Sequence, residues 1–163
     1  MELAGLLRFA HIVFGILWVG MLFYFMLVQV PALRAAMADG SAAGIVRHIA
    51  PRALLWFRIG SVGTWLAGAA LLGPGFVAAF TLQPGMRLIG VGAWLGTIMF
   101  LNVWLFIWPA WKKILGLVPA DDAAKGRARK TALLAARTNL ALSLPMLYCM
   151  AAGSHPGQFG VFS

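Results

Sequence analysis

Residues 88–108 read LIGVGAWLGTIMFLNVWLFIW, a run of 21 residues without an ionisable side chain, bounded by Arg87 and Pro109. An α-helix rises 1.5 Å per residue, so about 20 apolar residues cross the roughly 30 Å of hydrocarbon in a bilayer. This run therefore predicts a transmembrane helix. Three further stretches have a similar character, and the four predicted spans are residues 3–30, 53–80, 88–108 and 131–153.

The composition of the whole chain supports the same interpretation. Of its 163 residues, 62% are hydrophobic and only 10% are charged, whereas about a quarter of the residues of a soluble domain are charged. A chain with so few charges cannot cover a water-facing surface, so we expect the lipid bilayer to surround most of it. The sequence predicts an all-α integral membrane protein, an antiparallel four-transmembrane-helix bundle that forms a single membrane domain over residues 1–163.

The basic residues predict how the bundle is oriented. Only Arg8 and Arg87 lie on the side of the termini. The other eleven lie in or beside the loops after the first and third spans: Arg34, Arg47, Arg52, Arg58, Lys112, Lys113, Lys125, Arg127, Arg129, Lys130 and Arg137. By the positive-inside rule the basic loops are cytoplasmic, so we expect a multi-pass protein of the bacterial inner membrane with both termini periplasmic. The same clustering explains the net charge of +9, and we expect no nucleic-acid partner.

Small residues recur at four-residue intervals in the second and third spans. Gly60, Thr64 and Gly68 follow this spacing in the second span, and Gly92 and Gly96 follow it in the third. Small residues at this spacing let the backbones of membrane helices approach closely. We therefore expect both helices to contact their neighbours through these faces.

Two histidines are the candidate metal ligands. The topology places His11 and His155 at the same side of the membrane, where they could supply the two axial nitrogens of one haem b iron. Gly15 and Trp18 lie at i+4 and i+7 from His11, on a face that could leave room for a macrocycle and pack on its plane. Arg8, one turn outward, could pair with a propionate.

A second interpretation of these histidines stays open. A histidine near a membrane interface is often a packing residue with its hydrogen bonds satisfied, and two histidines alone have no diagnostic ligand spacing. His155 could simply cap the fourth helix, and in that case Met146 or Met150 would be the alternative second ligand.

A polar group is expected at the opposite end of the bundle. Arg58, Asn102, Arg137 and Asn139 fall near the cytoplasmic ends of their helices, with His48 at the rim. They could form a pocket for an anionic ring, a quinone head group or the propionates of a second haem. Alternatively, the arginines extend to lipid phosphates and the asparagines hold helices together.

Four segments carry a family resemblance. They are HIVFGILWVG at 11–20 with FYF at 23–25, ALLWFRIG at 53–60, GTIMFLNVWLFIWP at 96–109 with KK at 112–113, and RTN at 137–139 with LP at 144–145 and SH at 154–155. In this order they resemble the membrane domain of bacterial membrane-bound urate oxidases over nearly the whole chain.

The resemblance implies oxidation chemistry that feeds electrons to a haem, since a cytochrome c domain typically follows the membrane domain in that family. No C-x-x-C-H motif occurs before the chain ends at Ser163. We therefore expect a separate periplasmic cytochrome c or a larger redox complex as partner. The resemblance implies that six positions in the matching motifs are functional: His11, Arg58, Asn102, Arg137, Asn139 and His155.

Three functional hypotheses follow from the sequence. The leading hypothesis is a membrane subunit that binds haem b through His11 and His155 and passes electrons to or from a periplasmic redox partner. The second is a urate-oxidase-like membrane oxidoreductase whose substrate lies near the arginines and asparagines. The third is a cofactor-free structural subunit of a larger membrane complex.

Overall fold

The computed structural model describes residues 3–155, and within that range the chain forms four long helices and no strand. They are α1 (Leu3–Ala38), α2 (Ala42–Phe80), α3 (Arg87–Ile114) and α4 (Asp122–Ser154). Each is long and apolar enough to cross a membrane. The predicted all-α architecture with four long apolar helices is confirmed, although every helix is longer than its predicted span.

The helices pair in sequence order. α1 packs mainly against α2 and α3 mainly against α4, whereas α1 and α4 touch only weakly. His11 near the start of α1 lies against Gly68 near the end of α2, and Ile89 of α3 lies against Gly153 of α4. Neighbouring helices are therefore antiparallel. We call the end where α1 and α3 begin the His11 end, and the end where α2 and α4 begin the Arg34 end.

The small residues of α2 form its interface with α1. A Cβ atom at Gly60 would lie 2.9 Å from the backbone nitrogen of Trp18, and one at Gly68 would lie 2.8 Å from Cε1 of His11. Gly60 therefore allows the two backbones to approach as they do, and Gly68 leaves room for the His11 ring. The predicted contact face of the second helix is confirmed.

The corresponding prediction for α3 is half right. A Cβ atom at Gly92 would meet Cys149 and Met150 of α4 at 3.1–3.4 Å, so this glycine lies in the α3–α4 interface. Nothing lies within 4 Å of a Cβ atom at Gly96. The expectation that Gly96 also packs against a neighbouring helix is wrong, because the spacing alone does not show how far along a helix the interface extends.

Three of the helices contain a π-helical segment that ends two residues before a proline. These segments are Phe25–Gln29 before Pro31 in α1, Ile45–Ile49 before Pro51 in α2, and Val103–Ile107 before Pro109 in α3. Proline has no N–H to donate, and its ring clashes with the carbonyl four residues earlier. The wider π turn accommodates both effects. The helices therefore continue through Pro31 and Pro109, where the predicted spans stopped.

An aspartate accepts a local hydrogen bond in each of the two loops at the Arg34 end. The carboxylate of Asp39 accepts hydrogen bonds from the hydroxyl of Ser41 at 2.6 Å and from its amide at 3.0 Å. These bonds favour the charged form, so they lower the pKa of Asp39 below its ordinary value. Asp121 accepts a hydrogen bond from the backbone amide of Ala124 and so caps the start of α4.

Candidate functional site

His11 is held against α2 by one hydrogen bond and by close packing. Its Nδ1 lies 2.9 Å from the carbonyl oxygen of Thr64, and its ring covers Gly68. A carbonyl only accepts hydrogen bonds, so Nδ1 is the donor, and Nε2 is the ring nitrogen left to bind a metal. An imidazole that is oriented by an Nδ1–H···O=C bond is the usual arrangement of a histidine that ligates a metal through Nε2.

The face of α1 that follows His11 packs on α2. Trp18 is only 2% exposed and lies against the backbone of α2 at Gly60. A Cβ atom at Gly15 would lie 3.9 Å from the methyl group of Thr64. These residues therefore position His11 through the helix interface, and a direct contact of Gly15 or Trp18 with a macrocycle stays a prediction.

His155 and Arg8 lie at the same end of the bundle as His11. His155 directly follows α4 and is exposed, with its Nδ1 3.3 Å from the carbonyl oxygen of Ala151. Arg8 is exposed one turn before His11. In the part of the chain that the structure describes, no three His, Cys, Asp or Glu side chains are grouped to hold a metal ion.

The alternative methionine ligands take part in packing. Met146 is buried in the core of the bundle, and Met150 packs on Gly92 of α3. His155 has no comparable role in the core, because it is exposed. It is therefore the more accessible of the three candidate second ligands.

The two predicted asparagines bind each other across the α3–α4 interface. Nδ2 of Asn102 donates to Oδ1 of Asn139 at 2.7 Å and to the carbonyl of Ala135 at 2.8 Å. Nδ2 of Asn139 donates in turn to the carbonyl of Met99 at 3.1 Å, and Asn139 is fully buried. The asparagines therefore hold two helices together, as the alternative interpretation expected.

Asn139→Ala is expected to lower the free energy of unfolding by about 1–3 kcal/mol, since it removes two hydrogen bonds between helices. Reversible unfolding of the purified protein in mixed micelles with increasing SDS would measure the change. The matched control is Thr138→Ala, because the Thr138 hydroxyl is exposed and bonds only to its own helix at Leu134. Equal stabilities of the two variants would contradict the assignment.

Arg58 connects α2 to α3. Its guanidinium carbon lies 3.5 Å from the centre of the Trp108 ring and 6.0 Å from that of Trp104, both within the range of a cation–π interaction. In the structure the two asparagines form a hydrogen bond with each other, and Arg58 lies on the ring of Trp108. Arg137 and His48 are exposed.

The structure contains a cavity that the sequence analysis missed. It has a volume of about 480 Å³, lies at the Arg34 end and is lined by residues of all four helices. Each π-helical segment contributes to its wall, with Phe25 from α1, Val46 from α2 and Ile107 from α3. π-helical turns inside α-helices are frequent at functional sites. The prolines at Pro31, Pro51 and Pro109 were the available sequence signal.

Among the residues that line the cavity, Gln29 has a buried side-chain oxygen without a hydrogen-bond partner. It is 3% exposed, and its Oε1 has no hydrogen-bond partner within residues 3–155. An unpaired polar atom in such a place costs about 1–3 kcal/mol. Arg34 and Arg129 also line the cavity and are exposed, so they mark its mouth.

Comparison with known families confirms the resemblance seen in the sequence. The urate oxidase N-terminal family matches residues 76–161, slightly more than half of the chain. The match covers the end of α2 together with α3 and α4, and thus includes both asparagines and His155. Comparison with curated proteins and with solved structures gave no match. The chain belongs to the urate oxidase N-terminal family.

Proposed function

We propose that this protein is a membrane electron-transfer subunit that binds haem b at the His11 end, with His11 as an axial ligand. The observation that carries the proposal is the 2.9 Å hydrogen bond between Nδ1 of His11 and the carbonyl of Thr64. This bond orients the ring and leaves Nε2 available to iron. A haem bound there would supply one-electron oxidation and reduction.

The other predicted residues of this end fit the proposal. His155, exposed at the end of α4, is proposed as the second axial ligand, and Arg8 as the partner of a propionate. Because α1 and α4 touch only weakly, a macrocycle between them would replace few helix contacts. Gly15 and Trp18 keep α1 against α2 and so fix the position of His11.

A visible spectrum tests the proposal. The protein would be purified from cells supplied with haem, and its dithionite-reduced spectrum compared with its oxidised spectrum. We expect a shifted Soret band and a distinct α band. A difference spectrum without these features would refute haem binding and would leave a cofactor-free structural subunit as the function.

His155→Ala is expected to keep the haem but to open one coordination position, since His11 still holds the iron. The reduced variant should then bind carbon monoxide and shift its Soret band, whereas the six-coordinate wild type should not. The control is His48→Ala, an exposed histidine at the opposite end. A His155→Ala variant that behaves like the wild type would contradict the ligand assignment.

We further propose that the Arg34 end faces the cytoplasm and that the electron partner is periplasmic, a cytochrome c or a larger redox complex, in a bacterial inner membrane. The excess of basic residues beside the loops at the Arg34 end supports this orientation. It places the proposed haem on the side where such a partner would dock.

Cysteine labelling of intact cells tests the orientation. In a Cys149→Ser background, we expect Ser154→Cys to react with a membrane-impermeant maleimide and Ser41→Cys to react only after lysis, because both serines are exposed at opposite ends. The reverse labelling pattern would contradict the orientation.

A second candidate function is a urate-oxidase-like oxidoreductase, which the family membership favours. Its purine substrate would bind near Arg58 and Trp108, and would pass electrons to an acceptor dye in the assay. Turnover of urate should then be lost in Arg58→Ala while far-UV circular dichroism stays unchanged. No turnover with any purine in the wild type would exclude this function.

A further inference from the structure

We propose that the cavity at the Arg34 end binds the ring of a lipid-soluble quinone or quinol, with the Gln29 amide as its hydrogen-bond partner. Gln29 lies 18 residues beyond His11 on the same helix, which separates them by roughly 27 Å along the axis. The cavity is therefore a site distinct from the proposed haem site, and this inference goes beyond the proposed function without depending on it.

The Gln29 side chain supports a ligand that can form hydrogen bonds. It lines the cavity, is 3% exposed, and its Oε1 has no hydrogen-bond partner among residues 3–155. An amide both accepts and donates hydrogen bonds. Its Oε1 can accept a hydrogen bond from a quinol hydroxyl, and its Nε2 can donate one to a quinone carbonyl, so one residue serves both redox forms of the ligand.

The size of the cavity and the composition of its wall also support this ligand. The cavity volume of about 480 Å³ falls in the range of about 300–1,000 Å³ that is typical of small-molecule sites. The wall is largely apolar and includes the rings of Phe25, Phe57 and Trp111. A quinone has a flat, mostly apolar ring with two oxygens and is dissolved in the bilayer. Such a ring can pack on the aromatic wall while one of its oxygens forms a hydrogen bond with the buried Gln29 amide.

A phospholipid is the other amphiphile with access to this end. Its phosphate would bind Arg34 and Arg129, which are exposed at the mouth. Its acyl chains have no donor for Oε1 of Gln29, so a phospholipid would leave the buried oxygen unpaired. The unpaired Oε1 therefore favours the quinol, whose hydroxyl can donate a hydrogen bond to it.

Quenching of tryptophan fluorescence measures the binding, because Trp111 lies in the cavity wall. The full chain in phosphatidylcholine nanodiscs would be titrated with a short-chain ubiquinone and a short-chain menaquinone, each in its oxidised and in its quinol form. We expect saturable quenching by at least one of them, and a reduced amplitude in Trp111→Phe. Gln29→Leu should weaken binding about tenfold, the value of one hydrogen bond, while Val28→Leu, an exposed neighbour, should bind like the wild type.

A second pair of variants tests the cavity without touching Gln29. Ala136→Phe, in the cavity wall, should abolish binding, whereas Ala141→Phe on the exposed surface of α4 should not. Wild-type affinity in Gln29→Leu or in Ala136→Phe would overturn the proposal. So would quenching that disappears on replacing both Arg34 and Arg129 by glutamine but is unaffected by Gln29→Leu, because that pattern identifies a phospholipid-type head-group site. The titration needs no haem, so its failure and the failure of the haem spectrum are separate results.

Discussion

Gly60→Leu is expected to prevent the close pairing of α1 with α2 and to lower the free energy of unfolding by about 3 kcal/mol or more. A Cβ atom at this position would lie 2.9 Å from the backbone nitrogen and 3.1 Å from the Cα of Trp18. Backbone atoms cannot rotate away as a flexible side chain can, so the helices must separate. Unfolding in SDS mixed micelles, followed by far-UV circular dichroism, would measure the loss.

The control for this variant is Gly20→Leu. Gly20 is exposed on α1, and nothing lies within 4 Å of a Cβ atom placed there. The same increase in side-chain volume should therefore leave the stability unchanged. If both leucine variants were equally stable, the close approach of α1 and α2 at Gly60 would be wrong.

His11→Ala is expected to remove nearly all of the haem from the purified protein, because the variant lacks the proposed axial ligand whose ring is held by the 2.9 Å hydrogen bond to Thr64. His48→Ala is the matched control, since His48 is exposed at the opposite end, and it should retain the wild-type amount. The ratio of haem to protein, measured as the pyridine haemochrome, gives the result. A wild-type ratio in His11→Ala would contradict the assignment of His11.

The fold could be predicted from the sequence because the bilayer restricts the choices. Uncharged runs such as 88–108 are long enough to span hydrocarbon, and only helices satisfy their backbone groups there. The contact face of α2 was also predictable, because Gly60 and Gly68 recur at a spacing that brings them to one side. The helix ends could not be predicted. Pro31 and Pro109 would normally indicate the end of a helix, but here each follows a π turn, and the helix continues through it.

The candidate sites were predictable only in part. His11 was identified because a histidine inside an apolar span needs a hydrogen bond or a function, and the structure supplies the hydrogen bond to Thr64. The cavity was missed because an apolar residue that lines a void looks the same in a sequence as one in a packed core. Besides the three prolines, Gln29 was a usable signal, since it is an amide within the predicted span 3–30.

The most direct test of haem binding by His11 is the recovery of the haem spectrum in His11→Gly by added haem and imidazole. This variant removes the proposed ligand and leaves space beside Thr64 and Gly68 for a free imidazole. We expect that His11→Gly, purified with haem supplied, lacks the Soret shift of the wild type on reduction and regains it when haem and imidazole are added together and unbound haem is then removed. A His11→Gly protein with a wild-type difference spectrum in the absence of imidazole would show that His11 is not a haem ligand.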